Sequence, residues 1–255
     1  MRRGDVAVFS ISAALTAVVV AALTYSLLVL DRGSSVLVSE SANTSWLVVS
    51  WGSSLCMVES SNELCTSGDV ENMGQTLILH GLWPQPFENQ YCGIPQMLAE
   101  RARKGQGDFP PLDLSDAVRT SLESTMAGSA TVAAHEWYAH GTCSGVAPDV
   151  YFSDASALTD QVRDALDPVF VDAQGGVVSL NTIRGRLDER FGPGAGERLK
   201  LTCRKATGEG SLVVDVRLSL PPVAALRAVD GSMNLGELLL QAPPLDSDCQ
   251  HGRVP

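Results

Sequence analysis

Three of the four histidines in this 255-residue chain fall in two short stretches, LHGLWPQP at 79–86 and HEWYAHGTC at 135–143. They supply His80, His135 and His140, with Glu136 beside the first of the later pair. Imidazole titrates near neutrality, so one ring can accept a proton while another gives one up. If 134–141 is helical, His135, Glu136, Ala139 and His140 share one face about 140° wide. Trp137 and Tyr138 then fall on the other side, where they can anchor the helix in the core. The two histidines of this stretch are five residues apart, at opposite edges of that face. The zinc motif H-E-x-x-H needs its histidines at i and i+4, stacked in line. A zinc hydrolase built on His135, Glu136 and His140 is therefore rejected, and no metal or cofactor is expected. His80 closes an apolar run where it meets a Gly/Pro turn, a position where sites commonly form.

A base, an acid and a further cationic group are the parts that RNA cleavage requires. The base takes the 2′-hydroxyl proton, the acid protonates the departing 5′-oxygen, and the cation steadies the phosphorane charge. With these residues in view, the chain resembles the ribonuclease T2 family. HGLWPQ (80–85) and HEWYAHGTC (135–143) look like that family's two active-site segments, in its order and at a compatible separation. WLVVSWGSSLC (46–56) resembles its first strand and cysteine, and LKLTC (199–203) a later strand, so the likeness runs from about Trp46 to Cys249.

The resemblance implies an α+β fold and an endoribonuclease that cleaves single-stranded RNA, not DNA. The route would pass through a 2′,3′-cyclic phosphate to a 3′-phosphate without metal. It implies His140 as general base, His80 as general acid, and His135 as a phosphate ligand. Glu136 would polarise the phosphate or stabilise the pentavalent state, and Trp83 would stack on a base, as aromatic side chains do with unstacked RNA. It also implies three bridges, Cys92–Cys143, Cys56–Cys65 and Cys203–Cys249. One departure matters. Family members commonly carry lysine just before the second histidine of the second segment, where this chain has Ala139. Losing such a donor can cost about 10²–10³-fold in rate. The alternative is thus a weakened or inactive protein of the same fold that binds RNA or a partner. Arg101, Arg103 and Lys104 are the candidates for a replacement cation.

The elements that must position these residues are visible as patterns. WLVVSW (46–51) and TLILHGLW (76–83) read as buried strands. Helices are expected over 96–104, 112–127, 151–166 and 179–191, the last capped by Ser179. A hairpin turns at Gly208-Glu209-Gly210, and the tail 243–255 reads as loop. With no repeat and no second core, the expectation is one α+β domain over 46–255, with a mainly antiparallel sheet packed against helices.

Ahead of it, Val6 to Leu30 is an uncharged run of 25 residues preceded by Arg2 and Arg3. That is longer than the apolar core of a secretory signal, about 7–15 residues, and long enough to span a bilayer. Residues 1–32 are read as a signal anchor, with a cleaved signal or a buried core helix as alternatives, and 33–45 as a Ser-rich linker. Both leading readings place the domain outside the cytoplasm, membrane-anchored or secreted, and a monomer is expected. All six cysteines follow the apolar run, and an even count in an exported chain reads as disulfides. The first 32 residues hold three arginines and two aspartates, so the remainder carries a net charge of −12. That excludes broad electrostatic capture of nucleic acid and leaves a local cleft as the place to grip RNA.

Overall fold

Apolar residues on both sides of a strand mark it for burial between layers, and LVVSW carries them. The structure is a computed structural model that describes residues 43–105 and 109–255. Its strands are β1 (Thr44–Trp51), β2 (Leu77–Gln85), β3 (Val177–Ser179), β4 (Leu199–Ala206), β5 (Gly210–Leu220) and β6 (His251–Arg253). They form a mixed sheet in the order β2-β1-β5-β6-β3, with β4 also on β5. The β1–β2, β1–β5, β4–β5 and β3–β6 ladders are antiparallel, and β5 meets β6 in parallel.

The longer helices are α1 (Gly52–Val58), α2 (Gln96–Arg103), α3 (Asp116–Thr125), α4 (Ser129–Ala139), α5 (Pro148–Asp172), α6 (Leu180–Phe191) and α7 (Leu235–Gln241), with one-turn helices at Glu63–Thr66 and Asp69–Asn72. Leu47, Val49 and Trp51 of β1 line one face of the sheet with Leu79, Leu82, Val216 and Leu218. Against that face lies α5, which buries Tyr151, Phe152, Leu158, Val162 and Phe170. Each such side chain contributes about 1.5–3 kcal/mol on burial, so this layer holds the domain together. Two polar clamps set the height of β2 on α5. Tyr151 donates its hydroxyl to the Leu82 carbonyl at 2.6 Å, and Asp167 accepts from the Leu77 N–H at 2.9 Å.

The opposite face of the sheet carries Trp46, Ser50, Asp215, Arg217 and Ser219. Trp46 and Arg217 on it are partly exposed, and Trp83 of β2 is bonded to Glu136 of α4.

Three expectations change. The tail is not all loop: His251–Arg253 pairs with β3 and touches β5, because the sheet leaves an edge there to be satisfied. The strand begins at Thr44, so the last two residues of the expected linker belong to the domain. The helix expected over 134–141 runs from Ser129 and stops at Ala139. It stops because His140 leaves helical geometry (φ −123°, ψ −49°) and Gly141 tucks under the Trp137 ring. A Cβ at Gly141 would lie 2.3 Å from that ring. Ser179 does cap α6, accepting from the Thr182 N–H at 3.0 Å. The expected membrane segment lies outside the described residues. Among the described residues, no helix is long and apolar enough to cross a membrane.

Candidate active site

Strict alternation would send Leu79 into the core, His80 out and Gly81 in. The β1–β2 register slips between Val48 and Val49, so Gly81 faces Val48, Leu79 faces Val49, and His80 is the extra residue. A bulge of this kind re-aims a side chain. Here it turns His80 and Trp83, three residues apart, toward the same side of the strand. Their rings meet edge to face at 5.2 Å.

The end of α4 comes to the same place. The His140 ring stacks on the Trp83 indole, with centroids 5.0 Å apart and planes 26° apart. Both imidazoles therefore lie about 5 Å from one indole. Trp83 Nε1 donates to Glu136 Oε2 at 2.9 Å, which ties β2 to α4. Gly81 makes the bond feasible, since a Cβ there would sit 2.1 Å from Glu136 Oε2 and 2.4 Å from Trp83 Nε1. The Cys92–Cys143 disulfide fastens the loop after β2 to the short turn that follows His140. In the chain-entropy description, closing a loop of 51 residues contributes about 4 kcal/mol. The other bridges are Cys56–Cys65 and Cys203–Cys249.

Burial sets Glu136 and His140 apart from His80. Glu136 is 3% exposed and His140 5% exposed, whereas His80 is half-buried. Desolvation pushes the Glu136 carboxyl above the usual carboxylate range, opposed by the charges of His80 and His135 and by the Trp83 N–H. Desolvation also drives the His140 imidazole down from 6.5 to about 3, helped by the like charges of His135 and His80. His140 is thus a neutral proton acceptor at pH 7, with Phe87 lying 5.7 Å from its ring. Phe87 itself is 44% exposed.

His135 stands at the surface, close enough for its charge to act on Glu136 and His140. It is exposed and lines a cavity of about 420 Å³ with Phe109, Thr131 and Ala134. His80 borders another of about 120 Å³, shared with Ser50, Asn62, Leu64, Ile78 and Val132. Ala139 belongs to a separate packed cluster. At 2% exposed it packs with Tyr91, Ala99 and Ala102, and its carbonyl accepts from the Tyr91 N–H at 2.9 Å. The Arg103 guanidinium lies 4.8 Å from the Tyr91 ring centroid, so it is the one of the three candidate cations seen beside this cluster.

The sequence reading missed three polar residues on this face. Ser50 reaches His80 Nδ1 at 3.4 Å and donates to Asp215 Oδ1 at 2.7 Å. The Arg217 guanidinium lies over both the Trp83 and Trp46 rings, 5.4 and 5.8 Å from their centroids. A signal for the β5 residues was there, because DVRLS places polar side chains at every second position between apolar ones.

The family model for "Ribonuclease T2 family" matches residues 43–226, which contain every residue of this cluster. The chain belongs to the ribonuclease T2 family. It is a T2-type ribonuclease. Ribonuclease I of Escherichia coli (strain K12) is 23% identical over 200 residues, covering 68% of this chain and 73% of its own. Ribonuclease MC1 from the seeds of bitter gourd is 22% identical, with a TM-score of 0.56 over 82% of this chain and 98% of that one. A mutant of RNase MC1 in complex with 5′-GMP matches with the same TM-score and identity, over 83% of this chain and 98% of that one. At this identity the solved structures bear on the T2 fold alone.

Proposed function

We propose that this ribonuclease cleaves single-stranded RNA by acid–base transphosphorylation, without metal and outside the cytoplasm. The observation that carries the reading is the meeting of His80 and His140 on one indole, with the imidazoles in unlike surroundings. His140, neutral through burial, takes the 2′-hydroxyl proton. The freed 2′-oxygen attacks phosphorus, and His80 protonates the 5′-oxygen as the P–O5′ bond breaks, leaving a 2′,3′-cyclic phosphate. Water, entering by the reverse proton movements, opens the ring to a 3′-phosphate. A phosphodiester brings negative charge to His140 and so raises its basicity when bound.

Glu136 holds the indole and adds its carboxyl beside the phosphate, while His135 contacts the phosphate from the exposed side. Trp83 is the ring on which a base stacks in this reading; it is 6% exposed, and Phe87, 44% exposed and 5.5 Å from it, is the ring a base meets first. Since His80 serves the leaving nucleoside, that nucleoside's base belongs in the cavity beside His80. Three disulfides fit an oxidising compartment. A catalytic domain over 44–255, a membrane segment before it and a monomeric state complete the proposal. Ala139 sits in the packed Tyr91 cluster, so the missing lysine leaves the two imidazoles in place.

The purified protein should cleave single-stranded RNA in excess EDTA, release cyclic-phosphate ends and leave single-stranded DNA intact. Cleavage that appears only on addition of a divalent metal would remove the mechanism.

A further inference from the structure

Ser50 lies between an imidazole and a carboxylate, and its single hydroxyl hydrogen can serve only one of them. A carboxylate accepts and cannot donate. The short contact, 2.7 Å from Ser50 Oγ to Asp215 Oδ1, therefore takes that hydrogen. Toward His80 the same oxygen is left as an acceptor, so Nδ1 at 3.4 Å must be the nitrogen that carries a hydrogen. The sheet fixes this order. Ser50 and Asp215 are register partners across β1 and β5, and the β2 bulge lifts His80 toward them. Ser50 and Asp215 are buried, and Arg217 Nη2 lies 3.6 Å from the second Asp215 oxygen, which holds that carboxylate toward the strand row. Glu59 borders the same cavity as His80 but is engaged by Arg204 and by Asn62, leaving Ser50 as the partner in place.

We propose that Ser50 and Asp215 are positioning residues that hold His80 with hydrogen on Nδ1, so that Nε2 carries the proton given to the departing 5′-oxygen. The inference rests on His80 being the general acid. Its balance is simple. Cationic His80 has hydrogen on both nitrogens, the Nε2 proton leaves with the 5′-oxygen, and the ring that remains is the Nδ1–H form already bonded to Ser50. Water then returns the proton to Nε2 in the second step, with no change of tautomer between turnovers. A second group fixing a histidine tautomer is a common requirement of imidazole catalysis.

The test is tautomer-sensitive ¹H–¹⁵N spectroscopy of the full chain labelled at histidine, at alkaline pH, with His80 assigned by the signal lost in His80→Phe. The wild type should show His80 with hydrogen on Nδ1. Ser50→Ala should shift it toward the mixture of free imidazole and lower kcat about 10–100-fold with little change in KM, a loss of the size that follows removal of the partner orienting a metal-bound histidine. Ser50→Thr, which keeps the hydroxyl, should restore both. Asp215→Asn, whose amide can donate to Ser50 and reverse the chain, should weaken the Nδ1–H preference and serves if Ser50→Ala melts early. An Nε2–H ring in the wild type, or a His80 signal unchanged in Ser50→Ala and Asp215→Asn, overturns the proposal. Full turnover in His80→Phe would instead remove the acid assignment and leave the tautomer result intact.

Discussion

The two imidazoles reach the same indole from unlike supports. His80 sits on a strand, at a bulge, half-buried and beside polar neighbours in Ser50 and Asp215. His140 sits just past a helix end, packed against Trp83 and Phe87 and nearly closed from solvent. Environment, rather than residue type, separates an acid from a base when both are histidine. A desolvated ring stays neutral and accepts. The proposed division of labour follows from that contrast.

The largest effect expected breaks both sides of it at once. His80→Phe and His140→Phe should each lower turnover on the order of 10³-fold or more, with melting temperatures showing the fold intact. Near-normal cleavage in either would dissolve the pairing. The second test separates the two by stability. The folded His140 titrates at about 3, below its unfolded value near 6.5. Between those limits the unfolded chain binds a proton that the native chain does not, so stability is complete above pH 6.5 and is lost as pH falls toward 3. The contribution is on the order of 3–5 kcal/mol. Denaturant titrations at several pH values should show a shallower acid-side loss in His140→Phe than in the wild type. An unchanged slope would mean that His140 is not desolvated in solution.

Gly81→Ala tests the tie between the two supports. A methyl there collides with both Glu136 Oε2 and Trp83 Nε1, and overpacking of this kind costs about 1–3 kcal/mol. Turnover should fall on the order of 10–100-fold, since misplacing catalytic groups by an ångström has effects of that size. A fully active variant with an unchanged melting temperature would show the bond to be dispensable. The smallest effect is expected from Ala139→Lys. Because Ala139 packs with Tyr91 and Ala102, the lysine should lower stability by about 1–2 kcal/mol and change turnover little. A marked gain in rate would show that the site lacks a cation that this position can supply.

Much of the local structure was legible in one dimension. The β-branched runs announced β1 and β2, Ser179 announced its helix, and the Gly208/Gly210 turn announced the β4–β5 hairpin, because each depends on neighbours in sequence. The stop at Ala139 was not legible, since it depends on Gly141 meeting the Trp137 ring. Nor was the last strand, whose three residues pair only because β3 and β5 offer partners.

The amino-acid sequence alone determined which groups are present: two histidine stretches in order, six cysteines in an exported-looking chain, and an alanine before the second histidine. Those are matters of composition and spacing. Tertiary structure decided which groups meet and in what dielectric. It placed His80 and His140 on one indole, left His135 at the surface, sent Ala139 into a separate cluster, and set Ser50 and Asp215 behind His80. Hydrogen bonds and desolvation act through space over a few ångströms, and residues 50, 80, 140 and 215 become neighbours only when the sheet and α4 close on one another.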